Sequence, residues 1–209
     1  MLHLSIICSK FVKEYMDQKI QNIVENRNGY LLTRDMDKHN ISRQTMQNFI
    51  QKNNFQKVGR GIYLSEDTFG DILYVAYLSH KKIVYSHETA LDLHGLTERE
   101  PSKVTCTVVR GTNTKQLLLQ YLQVYTAIPK YYNLAQTTIK TAFGNTVPVY
   151  DVDRTICDIV RIKDTMDIQV FTYAMKQYMN SNKKNLHNLI KYSQILRIED
   201  KVRQYVEVM

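Results

Sequence analysis

The sequence predicts an α+β fold in two domains: a winged helix-turn-helix over residues 1–68, then a mixed α+β domain over 69–209 that ends in a helical tail. Three observations predict it. Helical periodicity near residues 16–52 runs into two short apolar stretches joined by Gly59-Arg60-Gly61. Strand-like alternation recurs between residues 104 and 150. Beyond Asp153 the apolar period is again that of a helix.

Met16, Ile20, Ile23 and Val24 fall on one helical face, and Asn28-Gly29 ends that helix with a residue suited to the left-handed conformation. The first fifteen residues are expected to extend it upstream. Leu31-Leu32 leads into a short helix with Thr33 as expected N-cap and Asp35 and Met36 in its first turn. His39-Asn40 breaks it. Ser42 caps a third helix whose apolar residues are Met46, Phe49 and Ile50, and Asn53-Asn54 stops it. Phe55–Val58 and Ile62–Leu64 read as two strands of a hairpin.

The third helix has the composition of a DNA-reading element. With Met46, Phe49 and Ile50 inward, Gln44, Asn48 and Gln51 lie opposite, with Gln47 between. Arg43 stands on one flank, Thr45 and Lys52 on the other. Gln and Asn amides can bond adenine bidentately, for about 1–3 kcal/mol of discrimination each. No Asp or Glu occurs from Asn40 to Asn54, so no carboxylate there would oppose a phosphate. Lys57 and Arg60 stand at the hairpin turn, where a wing reaches the DNA backbone or minor groove. The candidate DNA-binding residues are therefore Ser42, Arg43, Gln44, Thr45, Gln47, Asn48 and Lys52 on the helix, with Lys57 and Arg60 on the wing. A solvated helix face on a protein-interaction module is the plainer alternative.

In the second domain, Asp71–Ser79 is expected to be helical with Ile72, Val75, Ala76 and Leu78 inward. Lys82–Tyr85 reads as a strand, and Ser86 caps a helix to His94 that Gly95 stops. Val104–Val109 and Leu122–Ala127 are strands. Thr138–Phe143 and Val147–Tyr150 flank the hairpin signal Gly144-Asn145. Asp153 is expected to cap a helix carrying Ile156, Ile159 and Val160. Three more follow, marked by Ile168, Phe171, Met175 and Tyr178, by Leu186, Leu189 and Ile190, and by Ile198, Val202 and Tyr205.

Composition narrows the partners. The 209 residues carry a formal net charge of +8, split +3 over residues 1–70 and +5 over the remainder. A basic balance favours polyanions. Cys8, Cys106 and Cys157 form neither a paired framework nor a zinc spacing, which points to a reducing cytoplasm. Leu4–Cys8 is too short to span a bilayer, and its lysines follow it, so neither a membrane association nor a secretory signal is expected.

Four stretches, in order, resemble AbiEi-type abortive-infection antitoxins, the antitoxin halves of type IV toxin–antitoxin pairs. They are Ile41–Thr45 with Lys57–Leu64, Tyr85–Leu96, Val104–Gly111 and Tyr150–Val160. The resemblance covers most of the chain from about Met16 onward. It implies an autorepressor that binds inverted repeats in its own promoter, and an antitoxin that counteracts a co-encoded nucleotidyltransferase-like toxin without needing a stable complex with it. It also implies that basic surface on the second domain assists DNA binding. Lys183, Lys184, Lys191, Arg197, Lys201 and Arg203 are candidates for that role, or for a solvated face.

The competing reading is a metal-dependent nuclease or nucleotidyltransferase, with Asp151, Asp153 and Asp158 as ligands. A bare D-x-D is weak, and no glycine-serine phosphate loop precedes it. The plainer reading has Asp153 capping a helix, Asp151 ending a strand, and Asp158 facing solvent or pairing with Arg154 or Arg161. His87 and His94 are two turns apart, with no third ligand at zinc spacing. Cys106 and Cys157 read as structural. The expectation is therefore no catalytic residue, no metal and no cofactor.

Overall fold

The structure is a computed structural model that describes residues 2–115 and 122–206, with side chains from Phe11 onward. It separates into two compact units, Met1–Ser79 with Ala142–Asn145, and His80–Thr141 with Thr146–Met209.

Unit 1 begins with helix α1 (Leu2–Glu25), so the upstream segment is indeed helical. Strand β1 (Tyr30–Leu32), α2 (Thr33–Lys38), α3 (Arg43–Lys52), β2 (Gln56–Gly59), β3 (Ile62–Leu64) and α4 (Ile72–Ser79) follow. The helix stops sit at residues tolerant of positive φ: Asn28 at 51°, Asn40 at 54° and Asn54 at 53°. Gly29, at φ 85°, donates its amide to Val24 O and closes α1. A Cβ there would collide with the side chain of Thr68. Gly29→Ala is therefore expected to cost about 2 kcal/mol or more, from strain and clash together, read as a lowered urea midpoint.

The three strands form an antiparallel sheet in the order β1-β3-β2. Strand β1 was not expected, because three residues are too short to show a period. The sheet has two buried faces. Tyr30, Leu32, Ile62 and Leu64 pack with Leu78 on one. Leu31 and Tyr63 pack on the other, against Ile20, Val24, Met46, Phe49 and Ile50 from α1 and α3. The core face of α3 is thus the expected one.

Several details differ from expectation. Thr33 does not cap α2; Leu32 holds the N-cap position with no side-chain hydrogen bond. Ile72 is 71% exposed and Val75 half-buried, so α4 buries Ala76 and Leu78 alone. The boundary falls after Ser79 and not after residue 68, because Leu78 completes the core of β1 and β3.

Unit 2 holds a five-stranded mixed sheet in the order β6-β5-β4-β8-β7. Its strands are β4 (Val84–Tyr85), β5 (Val104–Val109), β6 (Leu122–Ala127), β7 (Gln136–Lys140) and β8 (Thr146–Tyr150). β5 pairs parallel with β6 and β4 parallel with β8, while β4–β5 and β7–β8 are antiparallel. Helix α5 (His87–His94) packs on β5 and on α7 (Val152–Ile162), with the short α6 (Pro129–Tyr132) beside β5 and β6. α8 (Ile168–Asn180), α9 (Leu186–Leu196) and α10 (Glu199–Val206) form the helical tail. Ile156, Ile159 and Val160 of α7 share a core with Phe171, Met175, Tyr178, Leu189 and Val202. The strand expected over Thr138–Phe143 runs instead over Gln136–Lys140, leaving Phe143 exposed in a turn, and Ile168 and Leu186, which marked helices, are exposed as well. Among the described residues, no helix is long and apolar enough to cross a membrane.

Candidate nucleic-acid interface

The face of α3 opposite its core is open. Ser42, Arg43, Gln44, Gln47, Asn48, Gln51 and Lys52 are exposed, and Thr45 is half-buried. Their freedom differs. Ser42 Oγ accepts from Thr45 N at 3.1 Å and lies 2.8 Å from Thr45 Oγ1, so both hydroxyls serve the helix start. Lys52 Nζ is 2.7 Å from Asp17 Oδ2, an ion pair that holds its charge against α1. Gln44 Nε2 donates to Asn48 Oδ1 at 3.0 Å. Arg43, Gln47 and Gln51 make no side-chain hydrogen bond among the described residues. Gln51 therefore joins the predicted set, while Ser42 and Thr45 have structural work.

The hairpin places its two cations differently. Lys57 and Leu31 both pair with Tyr63, across the two sides of β3. Directly opposed residues project to the same face of a sheet. Since Leu31 and Tyr63 pack against the α1–α3 core, Lys57 stands on the α3 side of the sheet, exposed. The register then slips by one residue between Lys57 and Gly59, a bulge at Val58, whose side chain packs on the face opposite Lys57, with Ile62 and Leu78. Gly61, at φ 68°, makes the turn and its carbonyl accepts from Thr33 N at 2.9 Å, which pins the turn to the start of α2. Arg60, exposed, lies at that turn and shares an open depression with Arg34 and Asp37. Lys57 thus accompanies α3, whereas Arg60 accompanies α2.

The charge pattern is broader than the helix alone. No Asp or Glu occurs from Lys38 to Ser65, a run that carries Lys38, Arg43, Lys52, Lys57 and Arg60. The nearest acid upstream with a charged partner, Asp35, is buried and paired with Arg27 at 2.8 Å.

In unit 2 each of the carboxylates singled out as metal candidates makes structural bonds, while Oδ2 of Asp158 is buried without a hydrogen-bond partner among the described residues. Asp151, and not Asp153, is the N-cap of α7: it accepts from Arg154 N at 2.8 Å and from Tyr192 Oη at 3.1 Å. Burial raises its pKa, and these two bonds oppose the rise. Asp153, buried in the first turn of α7, accepts from Tyr178 Oη at 2.8 Å and Asn185 N at 2.9 Å. Asp158, 3% exposed, pairs with Arg154 at 3.0 Å, one of the two expected partners. Arg154 also donates to the carbonyls of Tyr131 and Leu134 and lies over the ring of Tyr150. Among the described residues no three His, Cys, Asp or Glu converge at metal-binding distance.

The histidines and cysteines follow the same logic. His94 Nε2 donates to Tyr150 O at 2.7 Å, and burial lowers its pKa. Ser86 does not cap α5 by its side chain. Its Oγ accepts from Thr107 Oγ1 at 2.9 Å and lies 2.9 Å from His87 Nδ1. His87 stacks on Tyr125, and burial pushes its pKa down to about 4. Burial raises the Cys106 thiol to about 12 and raises Cys157 as well, which keeps both protonated.

No protein-family model and no curated protein matches the chain. Among solved structures it is similar to the crystal structure of the Rv2827c protein from Mycobacterium tuberculosis. The TM-score is 0.54, over 84% of this chain and 70% of that one, at 10% identity. At that identity the likeness extends to the fold alone, and what it establishes is a shared mixed α+β architecture.

Proposed function

We propose that this chain is a sequence-specific DNA-binding repressor, with unit 1 a winged helix-turn-helix that seats α3 in the major groove. The observation that carries the reading is the exposed, acid-free amide face of α3, with Lys57 on the same side of the sheet. The order helix, strand, helix, helix, hairpin in unit 1 supports it. From the resemblance, its targets are inverted repeats in its own promoter. Its second role is that of an AbiEi-type antitoxin, opposing a co-encoded nucleotidyltransferase-like toxin from the cytoplasm.

Fluorescence anisotropy with a promoter duplex across a salt series tests the first part. Affinity should fall steeply with salt, by a slope of several phosphates. Lys57→Ala and Arg60→Ala should each weaken specific and random duplexes alike, by about 5- to 10-fold, and lower the slope by about one. Because Arg60 stands beside α2, the two losses should add. A flat salt response, or wild-type affinity in both variants, would sink the assignment. For the second part, co-expression with the adjacent toxin gene should restore growth. Persistent toxicity would reject the antitoxin role and leave DNA binding untouched.

A further inference from the structure

Within this DNA-binding reading, on which the inference rests, we infer that the operator half-site carries an A·T base pair facing Asn48, with Asn48 reading the adenine and Gln44 positioning it. Gln44 and Asn48 lie one turn apart on the exposed face of α3. The 3.0 Å bond from Gln44 Nε2 uses one lone pair of Asn48 Oδ1 and so orients the amide. Oδ1 keeps a second lone pair, and Nδ2 keeps both its protons. One acceptor and one donor are thus presented side by side.

Adenine offers the complement in the major groove, an N6 donor beside the N7 acceptor. Guanine offers two acceptors, O6 and N7, so Oδ1 would face O6 and repel it. Turning the Asn48 amide over would break its bond from Gln44 and set Oδ1 against N7, so neither orientation pairs with both guanine acceptors. Cytosine and thymine present one hydrogen-bonding group each, so either forms one bond where adenine forms two.

Gln47 and Gln51 have the same spacing but no bond joins them. Each must lose its rotamer freedom on binding, a cost the Asn48 amide has largely met before DNA arrives. Ser42 and Thr45 are committed to the helix start, and Lys52 to Asp17. Among the described residues, Gln44 and Asn48 are the amides of the exposed face of α3 that a hydrogen bond joins, and in that pair Asn48 is the acceptor whose two N–H donors both stay free.

The test is in vitro selection from a randomised duplex library with the full chain, followed by affinity measurements on the selected site. The wild type should select one A·T pair per half-site that Asn48→Ala no longer selects. Replacing that adenine by 7-deaza-adenine, which lacks the N7 acceptor, should weaken the wild type about 10-fold and leave Asn48→Ala unaffected. Gln44→Ala should keep adenine as the preferred base but reduce the preference. Gln44→Lys, which restores an N–H donor, should recover the adenine-to-guanine ratio, and Gln44→Glu should not. Selection of G·C at that position, or an unchanged preference in Asn48→Ala, overturns the inference and leaves the DNA-binding reading standing. Failure to enrich any duplex at low salt overturns both.

Discussion

Arg154→Ala should destabilise unit 2 by about 3–5 kcal/mol, the cost of stranding a buried charge. Asp158 is 3% exposed, and among the described residues its charged partner is Arg154, itself 2% exposed. Removing the guanidinium leaves that carboxylate without a counter-charge. It also leaves the carbonyls of Tyr131 and Leu134 without the donor they share. A double replacement, Arg154→Met with Asp158→Leu, should recover much of the loss, since desolvating an ion pair offsets most of its attraction. Urea denaturation followed by tyrosine fluorescence reads both, because the Tyr150 ring lies beneath the guanidinium and the chain has no tryptophan. A shift below 1 kcal/mol in Arg154→Ala would contradict the account of α7 as a helix held by its own buried ion pair.

Acid should destabilise the protein through His87, by up to about 3 kcal/mol between neutral pH and pH 4. Burial depresses the folded pKa from 6.5 to about 4, with Asp158 opposing and Arg154 and Arg161 assisting. In this window the unfolded chain binds the proton and the folded chain does not. The stability is therefore fully present above 6.5 and is lost as pH falls through 4. His94 and His80, both lowered by burial, act in the same direction; Asp151, raised by burial, acts in the opposite one. His87→Asn isolates the contribution, since Asn tolerates the positive φ of 51° at this position. The slope of unfolding free energy against pH between 4 and 6.5 should flatten in that variant. An unchanged slope would show that His87 is not a buried neutral imidazole.

The candidate interface was largely legible before the fold was known. Met46, Phe49 and Ile50 repeat with the period of a helix, so the opposite face could be assigned from spacing alone. Asn28, Asn40, Asn54 and Gly29 marked the stops because so few residue types accept positive φ. Other expectations failed for nameable reasons. β1 is three residues long and was missed, and the bulge at Val58 has no local signature. Asp153 reads as a cap by its position before the apolar period. Asp151 takes that place because the chain turns out of β8 two residues earlier. Ile72 looked like core, but the residues of α4 that meet the sheet begin at Tyr74, which packs on Tyr30.

Local chemistry alone determined most of the longer helices, where those of unit 1 stop, and which face of α3 is amide-rich and free of acid; the short α6 carried no such signal. Those properties depend on neighbours within one or two turns, and such neighbours are adjacent in sequence. Only the tertiary structure decided which of those side chains remain available. Lys52 is claimed by Asp17, 35 residues away, Lys57 shares a face with α3 through Tyr63, and Asp153 is claimed by Tyr178. Partners at that separation meet only once the core has closed, so no spacing rule could have announced them.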